Sequence, residues 1–151
     1  MPQTNLNWIL FLPLLAGVAV AVQTSLNGQL RILVSSPLLA ALISFLIGSL
    51  VLTLLVIITR QQVPSVNQLA ITDWYKFTGG ILGAFFIVVM IVSVQRMSLA
   101  NLLAMVVAGQ LITALLLDHF GLLGVKQSSV TLTRALGAIA LIIGTYLINK
   151  K

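Results

Sequence analysis

The stretch from Val106 to Gly124 limits the possible folds more than any other part of the sequence. It is largely apolar, with Gln110 near its middle and an acid–imidazole pair, Asp118–His119, near its end. An α-helix needs about 20 mostly apolar residues to cross a bilayer. The stretch therefore predicts a membrane helix with an amide at depth and a charged pair where the helix leaves the hydrocarbon.

The composition extends this prediction to the whole chain. Of the 151 residues, 60% are hydrophobic and only 7% are charged, whereas about 25% are charged in a soluble domain. The mean hydropathy is +1.16, and no strand pattern appears. The chain is too poor in polar residues to cover a globule in water, so we expect an all-α integral membrane protein. Because it has no cysteine, disulfides, a thiolate nucleophile and a Cys-ligated metal are excluded.

The net charge of +6 does not indicate nucleic-acid binding. The eight Lys and Arg residues lie singly at segment ends or as a pair at the C-terminus, as flanking charges of membrane helices do. No Lys or Arg precedes the first apolar run, and the QTSLNGQLR segment after Ala21 is not a cleavage site. We therefore interpret the first run as a retained helix rather than a signal peptide.

Five segments qualify as transmembrane helices within a single transmembrane domain, 1–151. Ser36 and Pro37 form a start signal for the second helix, and Ser98 can cap the fourth. Gly121 is placed to end the fourth helix. The segment 61–71 is predicted to be the one sizeable polar loop. The five predicted helices are 7–30, 37–59, 77–95, 99–120 and 130–148.

Several of these helices carry small residues four positions apart. Close approach of small residues, rather than burial of apolar surface, holds helices together in lipid. The pattern predicts a compact bundle and no particular function. The residues concerned are Ala40, Ser44, Gly48, Gly79, Gly83, Ala100, Ala104, Ala108, Ala140 and Gly144.

The positive charges are balanced across the predicted membrane. Lys and Arg in short loops set the orientation of a membrane protein, and five helices place four such residues on each side. The side of the N-terminus has Arg60, Lys76, Lys126 and Arg134, and the other side has Arg31, Arg96, Lys150 and Lys151. We therefore predict insertion in both orientations, so that two copies pair as an antiparallel (inverted) homodimer of ten helices. The alternatives are a subunit of fixed topology and a pairing with a separate partner chain.

Polar residues inside membrane helices are the candidates for a substrate site. Gln23 and Asn27 lie one turn apart on one face of the first helix, and Gln110 lies at depth in the fourth. Ser44 and Asn101 are weaker candidates. The alternative role for the amides is hydrogen bonding to neighbouring helices, worth about 0.6–2 kcal/mol each.

Asp118 and His119 are the candidates for proton coupling, and anchoring at the membrane interface is the favoured alternative. One His and two acids are too few for a metal site, and no Ser is placed for a hydrolase triad. No Asp or Glu lies mid-membrane. This disfavours an antiporter that exchanges a drug cation for a proton on a carboxylate.

The sequence resembles the YdcZ-type family of bacterial five-helix membrane proteins, within the drug/metabolite transporter superfamily. The resemblance implies an inner-membrane bundle that transports small molecules as a dimer, made of antiparallel copies, related chains or fused ten-helix versions. Gln23, Asn27, Gln110, Asp118 and His119 match its motif positions. The superfamily's small multidrug members are similar in architecture, but they rely on a first-helix glutamate where this chain has Gln23 and Asn27. The matching segments are AGVAVAVQTSLNGQL, SSPLLAALISFLIGS, GGILGAFF, AGQLITALLLDHFGLLG and RALGAIALIIG.

These observations favour a small-molecule transporter in the bacterial inner membrane, working by alternating access as a dual-topology homodimer. A site lined by Gln23, Asn27 and Gln110 of both copies offers hydrogen bonds but no fixed charge. It suits a neutral or weakly polar metabolite, aromatic ones included. We expect no cofactor, no metal and no enzymatic activity. The alternatives are an accessory membrane subunit that transports nothing and one half of a heterodimeric transporter.

Overall fold

The computed structural model describes residues 11–150, and within them all regular structure is helical. Two 3₁₀ turns, Trp74–Phe77 and Leu122–Gly124, join longer elements. The α-helices of the described residues are α1 (Leu12–Val34), α2 (Pro37–Ile58), α3 (Val66–Ala70), α4 (Thr78–Ser93), α5 (Leu99–Phe120) and α6 (Leu132–Asn149).

The predicted start and stop signals are present at α2 and α5. The Ser36 hydroxyl accepts the N–H of Leu39 at 3.3 Å, and the Ser98 hydroxyl accepts that of Asn101 at 3.3 Å. Each satisfies one of the free donors of a first helical turn. Helix α5 ends at Gly121, which has a φ of +62°. Any side chain would be strained in this left-handed conformation.

Helix α1 continues to Val34, four residues beyond the predicted end at Leu30. Nothing between Arg31 and Val34 breaks a helix, and the first stop is Ser35, which adopts a left-handed conformation with φ 53°. Pro37 disfavours helical geometry at the residue before it. The predicted start of this helix, 7–10, lies outside the described residues.

The predicted polar loop contains a short helix, α3. The Ser65 hydroxyl accepts the Gln68 N–H, and the Gln68 side chain accepts the Ser65 N–H. This reciprocal pair is a capping box, which closes a helix start by satisfying two backbone donors.

Four helical segments of the described chain are long and apolar enough to cross a membrane: Pro37–Ile58, Trp74–Ser93, Leu99–Phe120 and Leu132–Asn149. Helix α1 is 23 residues long but does not join them, because Gln23, Asn27, Gln29 and Arg31 lower the apolarity of its second half. A membrane protein with several spans is thus the observed architecture, and the fifth span and the dimer stay predictions.

The chain divides at Arg96 into two compact units. In the first unit, α1, α2 and α4 pack against one another. Ala40 and Ala41 of α2 are buried against Ile87 and Ile91 of α4. The small alanine side chains let the two helices approach closely, as expected for packing in lipid. The prediction of one transmembrane domain over the whole chain stays a prediction.

The second unit consists of α5 and α6, which pack side by side. The Thr145 hydroxyl of α6 donates to the Ala104 carbonyl of α5 at 3.3 Å. Asp118 near the end of α5 forms an ion pair with Arg134 near the start of α6. The two helices are therefore joined both along their length and at the connecting segment.

Only some of the small residues spaced four apart lie in close contact with another helix of their unit. Ala40 is fully buried, and a Cβ atom added at Gly83 would lie in ordinary contact with Phe45, at 3.6 Å. Around Gly48, Gly79 and Gly144 a Cβ atom would meet nothing within 4 Å.

Candidate functional site

A cavity of about 180 Å³ lies between α1, α2 and α4 of the first unit. Its walls combine the polar face of α1 with aromatic and aliphatic side chains of α2 and α4. It is partly open, because Gln23 and Phe45 in its wall are exposed. The lining residues are Val20, Gln23, Thr24, Asn27, Phe45, Gly83, Phe86, Ile87, Met90 and Ile91.

Asn27 is the unsatisfied polar group of this cavity. Its side chain is only 6% exposed, and its Nδ2 has no hydrogen-bond partner among residues 11–150. The neighbouring buried hydroxyl, that of Thr24, donates to the Val20 carbonyl at 2.7 Å and is thereby satisfied. A buried donor without a partner costs about 1–3 kcal/mol.

Gly28, the neighbour of Asn27, is the point at which the end of α4 packs against α1. The Gln95 side chain, at the end of α4, donates to the Gly28 carbonyl at 3.0 Å. A Cβ atom at Gly28 would lie 2.9 Å from Val94 Cγ1, which is closer than van der Waals contact allows. The missing side chain of Gly28 therefore lets the end of α4 pack directly on α1, beside Asn27.

A second cavity, of about 220 Å³, shares Gln23, Phe45 and Ile87 with the first. Ser44, a weaker candidate from the sequence, lines this second cavity and is half-buried. The structure thus brings Gln23, Asn27 and Ser44 together around two cavities that share a wall.

Neither cavity is lined by a charged side chain. Moving an ion from water into such surroundings costs free energy that no opposite charge offsets. The site can offer hydrogen bonds from amides and contact with two aromatic rings, Phe45 and Phe86. This lining favours an uncharged molecule over an ion.

Gln110 and Asn101 lie on α5 in the second unit. Gln110 is exposed and Asn101 is half-buried, and the Asn101 backbone forms part of the cap at Ser98. The cavity of this unit, about 420 Å³, is almost wholly apolar and includes His119 in its wall. Gln110 and Asn101 line none of the three cavities, and their role in binding stays a prediction.

Asp118 and His119 hold the connection between α5 and α6. The Asp118 carboxylate pairs with Arg134, and its backbone carbonyl accepts the Ser128 N–H at 2.8 Å. His119 Nδ1 accepts the Val130 N–H at 3.3 Å. Arg134 also donates to the Ser128 carbonyl at 3.0 Å. These contacts lie within the chain, so anchoring at the membrane interface and proton coupling both stay predictions.

The aromatic wall of the first cavity was not predicted from sequence. Phe45 and Phe86 look like ordinary lipid-facing residues, and only the packing of α2 against α4 brings them together. One signal was available: Gly83 and Phe86 are three residues apart on α4 and therefore share a helix face. Two polar partners were also not predicted. Gln95 donates to Gly28, and Arg134 pairs with Asp118.

Comparison with known proteins gives one family. Residues 8–147 match a family described as "Putative inner membrane exporter, YdcZ". The chain is 31% identical over 137 residues to the "Inner membrane protein YdcZ" of Escherichia coli (strain K12), and the match covers 90% of this chain and 91% of that protein. No solved structure matches the chain.

Proposed function

The chain belongs to the YdcZ family of bacterial inner-membrane proteins, and we propose that it transports small neutral or weakly polar metabolites, aromatic ones included. It is a multi-pass protein of the inner membrane, and its family is described as one of inner-membrane exporters. Outward transport is supported by the family's description as an exporter.

The observation that carries this proposal is the α1–α2–α4 cavity, whose wall includes the polar residues Gln23, Thr24 and Asn27 of α1. Polar groups buried in membrane proteins are costly and mark substrate pathways. An amide kept only for packing would be expected to bond to a neighbouring helix, as Gln95 does to Gly28. Asn27 Nδ2 has no such bond among residues 11–150, and Asn27 lies in the wall of a space that a small molecule can enter.

The proposed working unit is a pair of oppositely oriented copies that share the membrane, with five spans each. Balanced Lys and Arg residues support insertion in both orientations. In this arrangement one copy rocks against the other, so that the cavity faces each side of the membrane in turn. Gln110 is proposed to contribute where the two copies meet. Proton coupling is assigned to Asp118 and His119 if export depends on the proton gradient.

The proposal is tested by comparing the metabolites that expressing cells and vector cells release into the medium. Cells expressing the protein are expected to accumulate at least one small uncharged metabolite in the medium several-fold above vector controls. Asn27→Leu, which replaces the amide in the cavity wall with an apolar side chain of similar volume, should return that metabolite to the vector level at equal membrane abundance. Quantitative mass spectrometry of the medium is the measurement.

The matched control is Asn149→Leu. Asn149 lies at the end of α6, where its side chain donates to the Thr145 carbonyl at 2.8 Å, and it lines none of the cavities. This variant should export like the unaltered protein. If wild-type and vector cells release and take up the same metabolites, the transporter proposal is wrong and the accessory-subunit alternative is favoured.

A further inference from the structure

We infer that Gln110 is the point at which two copies of the chain meet, and that its side-chain amide pairs with Gln110 of the second copy. The surface is the face of α5 that carries Gln110, and its occupant is α5 of an oppositely oriented copy. The inference rests on the proposed function only for the opposite orientation of the two copies, and it does not depend on transport.

Gln110 lies at the middle of a membrane span. Helix α5 has 22 residues, of which 11 precede Gln110 and 10 follow it. The Gln110 side chain is exposed, and none of the side-chain hydrogen bonds within residues 97–150 involves it. A polar group at this depth is costly in hydrocarbon, where no water can take the place of a partner. The amide is therefore suited to bond to another helix.

The face of α5 that carries Gln110 is not the face that packs on α6. Leu115 and His119 of α5 line the cavity that α5 forms with α6. At about 100° per residue, Gln110 points about 140° away from Leu115 and about 180° away from His119. Val107 and Ala114 lie three residues before and four residues after Gln110 and share its face. Both are exposed, so this face is open to a partner on the far side from α6.

An amide side chain can pair with its own copy. It carries a carbonyl acceptor and an NH₂ donor, so two Gln110 side chains that face each other can exchange two hydrogen bonds. A two-fold axis in the membrane plane brings residues at mid-depth beside their own counterparts, and Gln110 is at mid-depth in α5. The four Lys or Arg residues on each predicted side support the opposite orientations that this axis requires.

The neighbours of Gln110 fit the same axis. In an antiparallel pair centred on Gln110, a residue before it lies opposite a residue about equally far after it. Val107 of one copy then lies opposite Ala114 of the other, so that a larger side chain meets a small one. Leu103 lies opposite Leu117 in the same way, and none of these side chains is charged. The face can therefore pack closely on its copy without placing a charge between the helices.

The test is disulfide crosslinking in membranes, to which the chain is suited because it contains no cysteine. Single cysteines are introduced into the full-length protein as Val107→Cys, Gln110→Cys and Ala114→Cys and are oxidised with copper phenanthroline. A disulfide needs Cα atoms within about 7 Å of each other. Ile112→Cys is the matched control, because Ile112 is exposed near the same depth but lies on another face of α5.

The decisive result is a mixed dimer. Val107→Cys and Ala114→Cys should each crosslink poorly alone, because each lies about 9–12 Å along the helix from its own counterpart. Expressed together under different tags, they should give a crosslinked mixed dimer, and both chains of that dimer keep Gln110. Gln110→Cys should crosslink alone, and Ile112→Cys should not.

Two results of the crosslinking would overturn the inference. If Val107→Cys and Ala114→Cys each crosslink alone and not with each other, the two copies are parallel. If no mixed dimer forms although both chains are present in the membrane, this face of α5 does not meet its copy, and another helix or a separate partner chain covers it.

Gln110→Leu tests the amide itself. Energy transfer between labelled copies, followed as the protein is diluted in lipid, should show dimerisation at least tenfold weaker, which corresponds to about 1.4 kcal/mol. Asn149→Leu removes an amide that is bonded within its own helix, and it should dimerise like the unaltered protein. Unchanged dimerisation of Gln110→Leu would contradict the pairing of the two amides.

The outcomes for dimerisation and for transport are separable. The mixed crosslink in a protein that exports nothing would leave the inference standing and contradict the proposed transport. Export by a protein that gives no mixed crosslink would contradict the inference and leave the proposed transport standing.

Discussion

Gly28 shows how one residue can set the geometry of the cavity. It is buried in α1, and the end of α4 packs on it so closely that Gln95 reaches its carbonyl. A methyl group at this position would lie 2.9 Å from Val94 Cγ1 and 3.1 Å from Gln95 Nε2. Gln95 is flexible and can move away, but Val94 is β-branched and has little freedom at χ1. The helices themselves would have to separate.

Replacing Gly28 with Ala should therefore destabilise the protein by about 1–3 kcal/mol, the usual cost of overpacking. The measurement is the unfolding midpoint in detergent, followed by circular dichroism. Gly17→Ala is the matched control on the same helix, because a Cβ atom there meets nothing within 4 Å. A midpoint unchanged in Gly28→Ala would mean that α4 does not press on α1 as described.

The polar residues of the cavity were predictable at the residue scale, and its apolar residues were not. Gln23 and Asn27 stand out from an apolar helix at a spacing of four, and the structure places both in one cavity. Phe45 and Phe86 belong to long apolar runs in which every residue looks alike. Their place in the cavity depends on how α2 and α4 are rotated, which a single sequence does not encode locally.

At the scale of elements, the segment between α5 and α6 is bonded to both helices through side chains. Asp118 and Arg134 approach from the two helices, and Ser128 between them bonds to both. The two charged side chains are about one third exposed, at 30% and 34% respectively. Solvent screening therefore limits what the pair contributes to stability.

A double-mutant cycle with Asp118→Asn and Arg134→Gln measures that contribution. If the residues act through their ion pair, each single variant should lose stability, and the double variant should lose little more than either one. We expect a coupling free energy of about 0.5–1 kcal/mol, measured by reversible unfolding in mixed micelles. Strictly additive losses would show that the pair is not coupled.

Helix positions were predicted well where the sequence carries a cap or a stop. As their residue types suggest, helix starts are capped by Ser36 and Ser98, and α5 ends at Gly121. The prediction failed at the end of α1, which continues past Leu30 to Val34, and at α3, whose Ser65–Gln68 capping box is short enough to pass for loop. Partnership between helices, as for Asp118 with Arg134, depends on tertiary structure and could not be predicted.

At the scale of the whole molecule, the balance of positive charge determines the expected topology. With four Lys or Arg on each predicted side, neither orientation is favoured. Reporters fused after Lys151 should therefore give signals on both sides of the membrane, fluorescence of green fluorescent protein inside and alkaline phosphatase activity outside. Removing charges from one side should fix the orientation.

Two variants test the direction of this effect. Lys150→Asn with Lys151→Asn should move the C-terminus outward and raise phosphatase activity at the expense of fluorescence. Arg60→Gln with Lys76→Gln should do the reverse. If the unaltered chain gives a signal on one side only, it does not form an antiparallel homodimer, and a separate partner chain is the better hypothesis.

The position of the cavity within the first unit has a consequence for how such proteins diverge. All ten residues that line it lie between Val20 and Ile91, and none comes from the second unit. A relative that differed from this chain only in its last third would therefore keep every residue of the cavity wall.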